Sequence, residues 1–245
     1  MKIFIGETYE LMCRSALEKI VELTALFKHP LLCTASGDTP AGLYKQLVSD
    51  VQQKKIDVSQ WLYIGLDEWM GMNGNDEGSC RFHLNNQLFT PLKVKEEQIS
   101  FFDGKAIEPV KECEKAENYI SRNRGIDIAI VGIGMNGHVG MNEPGTQRQL
   151  RSHVTEIHHE TQKVGQKYFK EKQQLTQGIT LGLANILEAR NVILLASGSH
   201  KAAIIKQVLE GEINDKFPAS ILRNHPALYI YLDKEAASLL QPENI

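Results

Sequence analysis

The stretch "IDIAIVGIGMNGHVGMNEPG", residues 126–145, decides the fold and narrows the function. Its first eight residues are almost wholly apolar and do not alternate with polar ones, which is typical of a strand covered on both faces. Directly after them, glycine, asparagine, histidine and glutamate follow one another closely. A G-x-G-x-x-G pattern (Gly132, Gly134, Gly137) lies at the junction. It leaves two interpretations, a dinucleotide-binding turn or a loop that carries catalytic side chains.

A dinucleotide-binding turn requires a long helix directly after its third glycine, because the pyrophosphate binds at that helix N-terminus. Here Gly140 and the pair Pro144–Gly145 follow within eight residues and break any long helix. An isolated histidine is more often structural, but this one follows a strand and has polar neighbours. The stretch therefore favours a catalytic loop that carries Asn136, His138 and Glu143.

Short apolar runs alternate with helical patterns along the rest of the chain. The apolar runs are residues 2–5, 31–35, 61–66, 191–197 and 227–232. The helical patterns are residues 10–27, 41–51, 81–89, 110–120 and 201–209. Such alternation predicts a single α/β domain, residues 1–245, with a mostly parallel sheet flanked by helices.

Four of the predicted strands end in small, polar or ionisable residues, at 36–39, 67–68, 134–138 and 198–201. In open parallel sheets, ligands bind beyond the carboxyl ends of the strands. We therefore expect these four turns to form one shared site.

Two of the turns have the form of an anion site. Residues 36–39 precede a helix predicted to begin near Pro40, and free N–H groups at a helix N-terminus bind anions. A capped helix start explains these residues equally well. Lys201, however, lies in the first turn of a predicted helix, where the helix dipole disfavours a cation. A bound phosphate monoester would offset that effect.

Asp67 and Glu68 follow the strand at 61–66, and such a pair can supply a general base, metal ligands or only solvated charge. No histidine or cysteine lies at a spacing typical of metal ligands, which favours a base that acts without a metal.

Composition narrows the class of protein further. The net charge of −3 argues against a general nucleic-acid binder. No apolar run approaches the roughly 18 residues of a membrane span, and Glu7 and Glu10 are atypical of a signal peptide. The four cysteines are widely spaced, which fits a reducing compartment. We expect a cytoplasmic protein without nucleic-acid or membrane partners.

Taken together, "SGDTP", "LDEW", "GIGMNGHVGMNEPG", "GITLGL" and "GSHKA" resemble the glucosamine-6-phosphate deaminase/isomerase family over residues 30–232. "LDEW", "GSCRF" and "MNEPG" are most similar to its galactosamine-6-phosphate branch. The resemblance implies a Rossmann-like fold that binds no dinucleotide. It also implies conversion of an amino-sugar 6-phosphate into a ketose 6-phosphate and ammonia, with no cofactor or metal. A homo-oligomer is compatible with it.

The resemblance also implies roles for single residues. Asp67 would move the C2 proton to C1, and His138 would open the sugar ring with Asn136 and Glu143. Lys167 stands where many relatives carry an arginine on a mobile segment, so the charge is kept but not the bidentate geometry. The residues implied to bind the phosphate are Ser36, Gly37, Thr39, Lys167 and Lys201.

Two departures from the family pattern carry predictions. Many relatives have aspartate where this chain has Asn136, and an amide can orient His138 but cannot stabilise its imidazolium. His153 and Thr155 replace residues that are basic in allosteric relatives, and the long C-terminal tail of those relatives is absent. The resemblance therefore implies hyperbolic kinetics without activation by an N-acetylated sugar phosphate.

Two alternative functions stay open on the same fold. A 6-phosphogluconolactonase would share the phosphate loops and the histidine, but it usually lacks the N-E-P that supplies Glu143. A sugar-phosphate-binding domain, as found in bacterial transcription regulators, would keep the loops without the catalytic acids. Asp67, His138 and Glu143 are all present here, which favours an enzyme.

Overall fold

The computed structural model describes residues 1–241. Its strands are β1 (Lys2–Gly6), β2 (Leu31–Thr34), β3 (Leu62–Gly65), β4 (Asp67–Trp69), β5 (Ile99–Ser100), β6 (Ile128–Gly132), β7 (His153–Glu156), β8 (Gln177–Thr180), β9 (Asn191–Ala196) and β10 (Leu228–Asp233). Its α-helices are α1 (Tyr9–Thr24), α2 (Asp38–Gln52), α3 (Cys80–Leu84), α4 (Thr90–Leu92), α5 (Pro109–Arg122), α6 (His159–Gly165), α7 (Leu183–Leu187), α8 (Ala202–Glu210) and α9 (Pro218–Ile221).

Seven strands form one parallel sheet in the order β1-β10-β9-β6-β2-β3-β5. Each of the six apolar runs identified in the sequence supplies one of these strands, and the predicted α/β fold is confirmed. The exception is β5, whose two residues are too short to leave a pattern in the sequence.

The continuous apolar character of the strands follows from burial on both faces of the sheet. Along β2, Leu31 and Cys33 pack into one hydrophobic cluster and Leu32 into the other. In β6, Ala129 and Val131 alternate in the same way with Ile128 and Ile130. Side chains alternate between the faces of a strand, so a strand covered on both sides must be apolar throughout.

The chain changes direction across the sheet between β2 and β6. From β2 it proceeds to β3 and β5 toward one edge, and from β6 it proceeds to β9 and β10 toward the other. The register aligns the strand ends, since Thr34 pairs with both Gly65 and Ile130. Such a reversal leaves a crevice beyond the carboxyl ends of the two central strands, which is where ligands bind in open α/β sheets.

A second sheet, β4-β8-β7, is antiparallel and was not predicted from the sequence. Its strands have three or four residues each and mix polar with apolar side chains. It pairs Asp67 with Thr180 and therefore fixes the backbone of Asp67 directly after β3.

Several helix boundaries also differ from the prediction, most clearly for two helices. The segment 81–89 is not one α-helix but α3 followed by a π-helical turn, Asn85–Phe89. Helix α2 begins at Asp38, two residues before the proline that suggested its start. No helix within residues 1–241 is long and apolar enough to cross a membrane, and the four cysteines are buried free thiols.

Candidate active site

A cavity of about 390 Å³ lies at the carboxyl edge of the parallel sheet, beyond β2, β3, β6 and β9. The turns expected to share a site therefore do meet there. Of the nine site residues named from the sequence, eight line the cavity: Ser36, Gly37, Thr39, Asp67, Asn136, His138, Lys167 and Lys201. The ninth, Glu143, is buried behind Asn136.

The first turn, at the end of β2, presents the N-terminus of α2 to the cavity. Gly37 has φ of 113°, a left-handed conformation that favours glycine. The hydroxyl of Tyr9 supports this helix start from outside, because it accepts a hydrogen bond from the Gly42 amide at 2.7 Å and donates to the Asp38 and Thr39 carbonyls, each at 2.9 Å. The amide groups of the first turn of α2 are thus held in place for an anion.

Lys201 reaches the cavity from the opposite side. Its Nζ donates a 2.7 Å hydrogen bond to the carbonyl of Ile133, at the end of β6. Burial, reinforced by the nearby charge of Lys167, lowers the pKa of Lys201 to about 8. The turn before it is fixed by the Gly198 amide, which donates to both carboxylate oxygens of Asp233. Among residues 1–241 no carboxylate pairs with this partly buried ammonium group, which is therefore well suited to a bound anion.

Asp67 lies at the junction of β3 and β4 and is only 9% exposed. Burial raises its pKa to about 7; the Cys80 thiol opposes this shift by hydrogen bonding, and the nearby Glu68 adds to it. A carboxylate with this pKa can take up and release a proton near neutral pH, which is what a general base requires.

The neighbouring acid, Glu68, has a structural role. Its side chain is fully buried and accepts hydrogen bonds from the amides of Trp69, Cys80 and Arg81, all at 2.9 Å. The last two are the first amides of α3, so Glu68 caps that helix and brings Cys80 against Asp67. The paired acids therefore divide into a cavity-facing group and an anchor, a division that the residue pattern alone left open and that the resemblance implied only by naming Asp67.

The loop after β6 holds the ring of His138 in one orientation. A Cβ atom on Gly134 would lie 2.0 Å from the ring carbon Cε1 of His138, so only glycine fits there. Asn142, from the N-E-P motif, donates from Nδ2 to the carbonyls of Val139 and Leu181 and ties the loop to the residue that follows β8.

Asn136 fixes the tautomer of His138. Its Nδ2 donates to a carboxylate oxygen of Glu143 at 2.8 Å, and its Oδ1 accepts from the His138 amide at 3.1 Å. These two neighbours set the orientation of the Asn136 amide, so the Oδ1 that lies 2.7 Å from Nδ1 of His138 must accept the ring proton. Nε2 is therefore left with a free lone pair.

His138 is neutral at physiological pH. Burial lowers its pKa to about 4; the charge of Glu143 opposes this shift, and the charges of Lys201 and His158 add to it. The carboxylate of Glu143 lies 3.8 Å from Nδ1. A neutral imidazole with a free Nε2 can accept a proton and later return it.

Residues from the segment after β7 close the cavity, and most of them left no signal in the sequence. We call residues 159–172 the cover segment. Within it, Thr161 lies with its hydroxyl 3.1 Å from Nδ1 of His138. Lys167 lines the cavity, but its Nζ pairs with the carboxylate of Asp38 at 2.5 Å. The ion pair raises the pKa of Lys167 although burial opposes it.

The sequence pattern of one known family matches most of the chain. Residues 7–230 fit the family described as glucosamine-6-phosphate isomerases/6-phosphogluconolactonase. The glucosamine-6-phosphate deaminase of Thermoanaerobacter pseudethanolicus is 35% identical over 246 residues, covering 100% of this chain and 97% of that protein. The chain belongs to this family.

Solved structures agree with the family assignment. A monomeric glucosamine-6-phosphate deaminase superposes with a TM-score of 0.94 at 32% identity, covering 98% of this chain and 100% of the other. The 6-phosphogluconolactonase of Trypanosoma brucei gives a TM-score of 0.76 at 21% identity over 98% of both chains, a likeness in fold alone. Within residues 1–241, no three histidine, cysteine or acidic side chains cluster as a metal site.

Proposed function

We propose that this protein converts an amino-sugar 6-phosphate and water into a ketose 6-phosphate and ammonia. One observation carries the proposal: a carboxylate whose pKa is about 7 and a neutral histidine line the same cavity as two turns suited to an anion. The relatives named glucosamine-6-phosphate deaminase support this activity.

The substrate's phosphate binds between the start of α2 and Lys201. Ser36 and Thr39 offer hydroxyl donors, and the turn at Gly37 exposes backbone amides. Lys201 adds a partly buried charge, and an ion pair with a phosphate is stronger there than in open water. Lys167, on the cover segment, contributes a second positive charge once its ammonium group leaves Asp38 and pairs with the phosphate.

His138 opens the pyranose ring. Its Nε2 takes the proton from the anomeric hydroxyl and delivers one to the ring oxygen, so the ring C–O bond breaks and an aldehyde forms at C1. The Asn136 amide keeps the other ring proton on Nδ1, and Glu143 holds that amide. These groups hold His138 as a neutral imidazole, which can accept one proton and deliver another without first losing a charge.

Asp67 moves a proton between two carbons of the open chain. It removes the proton from C2, which gives an enolamine, and returns it to C1, which leaves an iminium group at C2. Water adds to that carbon and ammonia leaves, giving the ketone. A base positioned at the reacting carbon contributes roughly 10²–10⁴ to the rate, and the raised pKa of Asp67 matches this task.

The epimer at C4 is the finer part of the proposal. The motifs "LDEW", "GSCRF" and "MNEPG" favour galactosamine-6-phosphate, whereas the relatives compared above carry the glucosamine name. We propose the galactosamine compound as the preferred substrate, to be decided by a direct comparison of kcat/KM for the two.

The test is ammonia release from glucosamine-6-phosphate and galactosamine-6-phosphate side by side, with the ketose product identified. We expect ammonia and ketose in equal amounts from at least one of them, and none with Asp67→Asn. Hydrolysis of 6-phosphogluconolactone, assayed in parallel with Glu143→Gln, separates the alternatives. Lactone hydrolysis without ammonia would assign the lactonase. Binding of a sugar phosphate without turnover would assign the non-catalytic domain.

A further inference from the structure

The cover segment is docked on both sides of the proposed phosphate subsite. Lys170 pairs with Glu77 at 2.9 Å, and the ring of Phe169 packs so closely against Gly78 that a Cβ there would lie 2.5 Å from it. The ion pair of Lys167 with Asp38 joins the same segment to the first residue of α2. Three contacts, made by Lys167, Phe169 and Lys170, therefore hold residues 167–170 over the cavity.

Tyr168, between these contacts, faces the turn at Gly37. A Cβ on Gly37 would lie 3.4 Å from the hydroxyl oxygen of Tyr168, so this turn leaves space for the hydroxyl. The ring is held edge-to-face against His83, with centroids 5.0 Å apart at 66°. Nζ of Lys167 lies 4.9 Å from the centroid of the Tyr168 ring. The aromatic ring is thus oriented by neighbours on two elements, with its polar end at the start of α2.

The hydrogen-bonding state of this hydroxyl points to a ligand. Burial raises the pKa of this hydroxyl, and the nearby backbone of Asp38 and side chain of Lys167 oppose that shift. Within residues 1–241 the hydroxyl makes no hydrogen bond of ordinary geometry, and Tyr168 lines the same cavity as Ser36, Gly37 and Lys201. Lys167 and the Asp38 amide, the groups that face the oxygen, are also the groups that would face a phosphate at this helix start.

We propose that Tyr168 is a further phosphate-binding residue, whose hydroxyl donates a hydrogen bond to a phosphate oxygen of the substrate at the turn of Gly37. This inference rests on the proposed function for the identity of the substrate, but not for the anion. The hydroxyl joins Ser36, Thr39 and Lys201 around the phosphate, and His83 positions it through ring packing. A sugar without a phosphate gains nothing from this contact, so Tyr168 contributes to substrate selection.

The test is Tyr168→Phe, which removes the hydroxyl and keeps the ring against His83. Two quantities are measured: the dissociation constant of inorganic phosphate, by calorimetry, and KM and kcat for ammonia release. Because Tyr168→Phe loses a hydrogen bond to a charged group, we expect both the dissociation constant of phosphate and KM to rise about tenfold. We expect kcat to stay within about twofold of wild type. Tyr119→Phe is the matched control, because the Tyr119 hydroxyl donates to Gln98 on another face.

Binding of inorganic phosphate distinguishes a failure of the proposed function from a failure of the proposed role of Tyr168. If wild type binds phosphate but releases no ammonia, the proposed function fails while Tyr168 is still tested by phosphate binding. Equal phosphate affinity in Tyr168→Phe and wild type would overturn the inference, as would a loss confined to kcat. Absence of phosphate binding to the wild type would remove the subsite itself and overturn the inference as well.

Discussion

The side-chain oxygen of Asn136 lies 2.7 Å from Nδ1 of His138, and the amide nitrogen of Asn136 lies 2.8 Å from the carboxylate of Glu143. An amide therefore stands between the histidine and the acid. It transmits orientation but carries no charge, and the pKa of His138 is about 4 because burial outweighs the attraction of Glu143. Replacing Asn136 by aspartate would therefore add a negative charge beside His138 with almost no change in the shape of the side chain.

Asn136→Asp should raise the pKa of His138 by about 1–3 units, since a carboxylate in direct contact stabilises the imidazolium. Ring titration by NMR measures this pKa directly, without interference from Asp67. Thr161→Val is the control, because it removes a neutral hydroxyl that lies 3.1 Å from the same nitrogen. An unchanged titration in Asn136→Asp would show that Asn136 does not govern this ring.

Asp67→Asn should reduce kcat by roughly 10²–10⁴ and at the same time stabilise the fold at alkaline pH. The pKa of Asp67 in the folded protein, about 7, lies above the ordinary value of 3.8. Between these values the folded state binds the additional proton, so wild-type stability falls as the pH rises from about 4 to about 7. The advantage of the variant should grow over that interval, to about 2–4 kcal/mol at pH 8.

Urea unfolding at pH 5 and pH 8 measures this advantage. Asp57→Asn, an exposed aspartate outside the site, should give no comparable gain. A variant no more stable than wild type at pH 8, or one with full activity, would contradict the role of Asp67 as a buried base.

Lys201→Arg should remove an alkaline rise in KM. Because burial lowers the pKa of Lys201 to about 8, the charge that holds the phosphate is lost above that pH, and KM of the wild type should rise up to about tenfold by pH 9. A guanidinium stays protonated throughout, so the variant should show a nearly flat KM. Lys206→Arg, in helix α8 directly after Lys201 but outside the cavity, should keep the wild-type profile. A flat wild-type KM would exclude Lys201 from the phosphate subsite.

Asp38→Asn should lower KM by about 2–5-fold, since it removes a negative charge beside the phosphate and releases Lys167. The ion pair of Lys170 with Glu77 still holds the cover segment in place. The decrease in KM should be smaller at high salt, because salt screens the charge of Asp38. Glu77→Gln tests whether loosening the segment alone has this result, and we expect it to leave KM unchanged or raise it. A higher KM in Asp38→Asn would mean that Asp38 positions Lys167 rather than competing for it.

The strands and their terminal turns could be predicted from the sequence because their signal is local. Burial on both faces makes a strand such as Ile128–Gly132 continuously apolar, and the turns at Gly37 and Gly198 need residues with left-handed backbone. The meeting of the four turns at one cavity followed from a rule about parallel sheets, whereas the roles of single residues came from the family resemblance.

The residues that sequence reasoning missed reach the site through tertiary contacts. No periodic apolar pattern or turn motif in the sequence indicates that a cavity is lined by Thr161, Cys80 and Tyr168. Cys80 reaches Asp67 because Glu68 caps its helix, and Tyr168 reaches Gly37 because its neighbours pair with Asp38 and Glu77. The polar antiparallel sheet escaped prediction for the same reason, since pairing rather than hydrophobic pattern defines it.

The most direct measurement is a crystal structure with a reduced, open-chain amino-alditol 6-phosphate, which has the substrate's carbon chain but cannot react. We predict the phosphate between the start of α2 and Lys201, a carboxylate oxygen of Asp67 within about 3.5 Å of C2, and Nε2 of His138 facing the C1 and C5 hydroxyl groups. A ligand bound with its phosphate elsewhere, or with C2 out of reach of Asp67, would contradict the account.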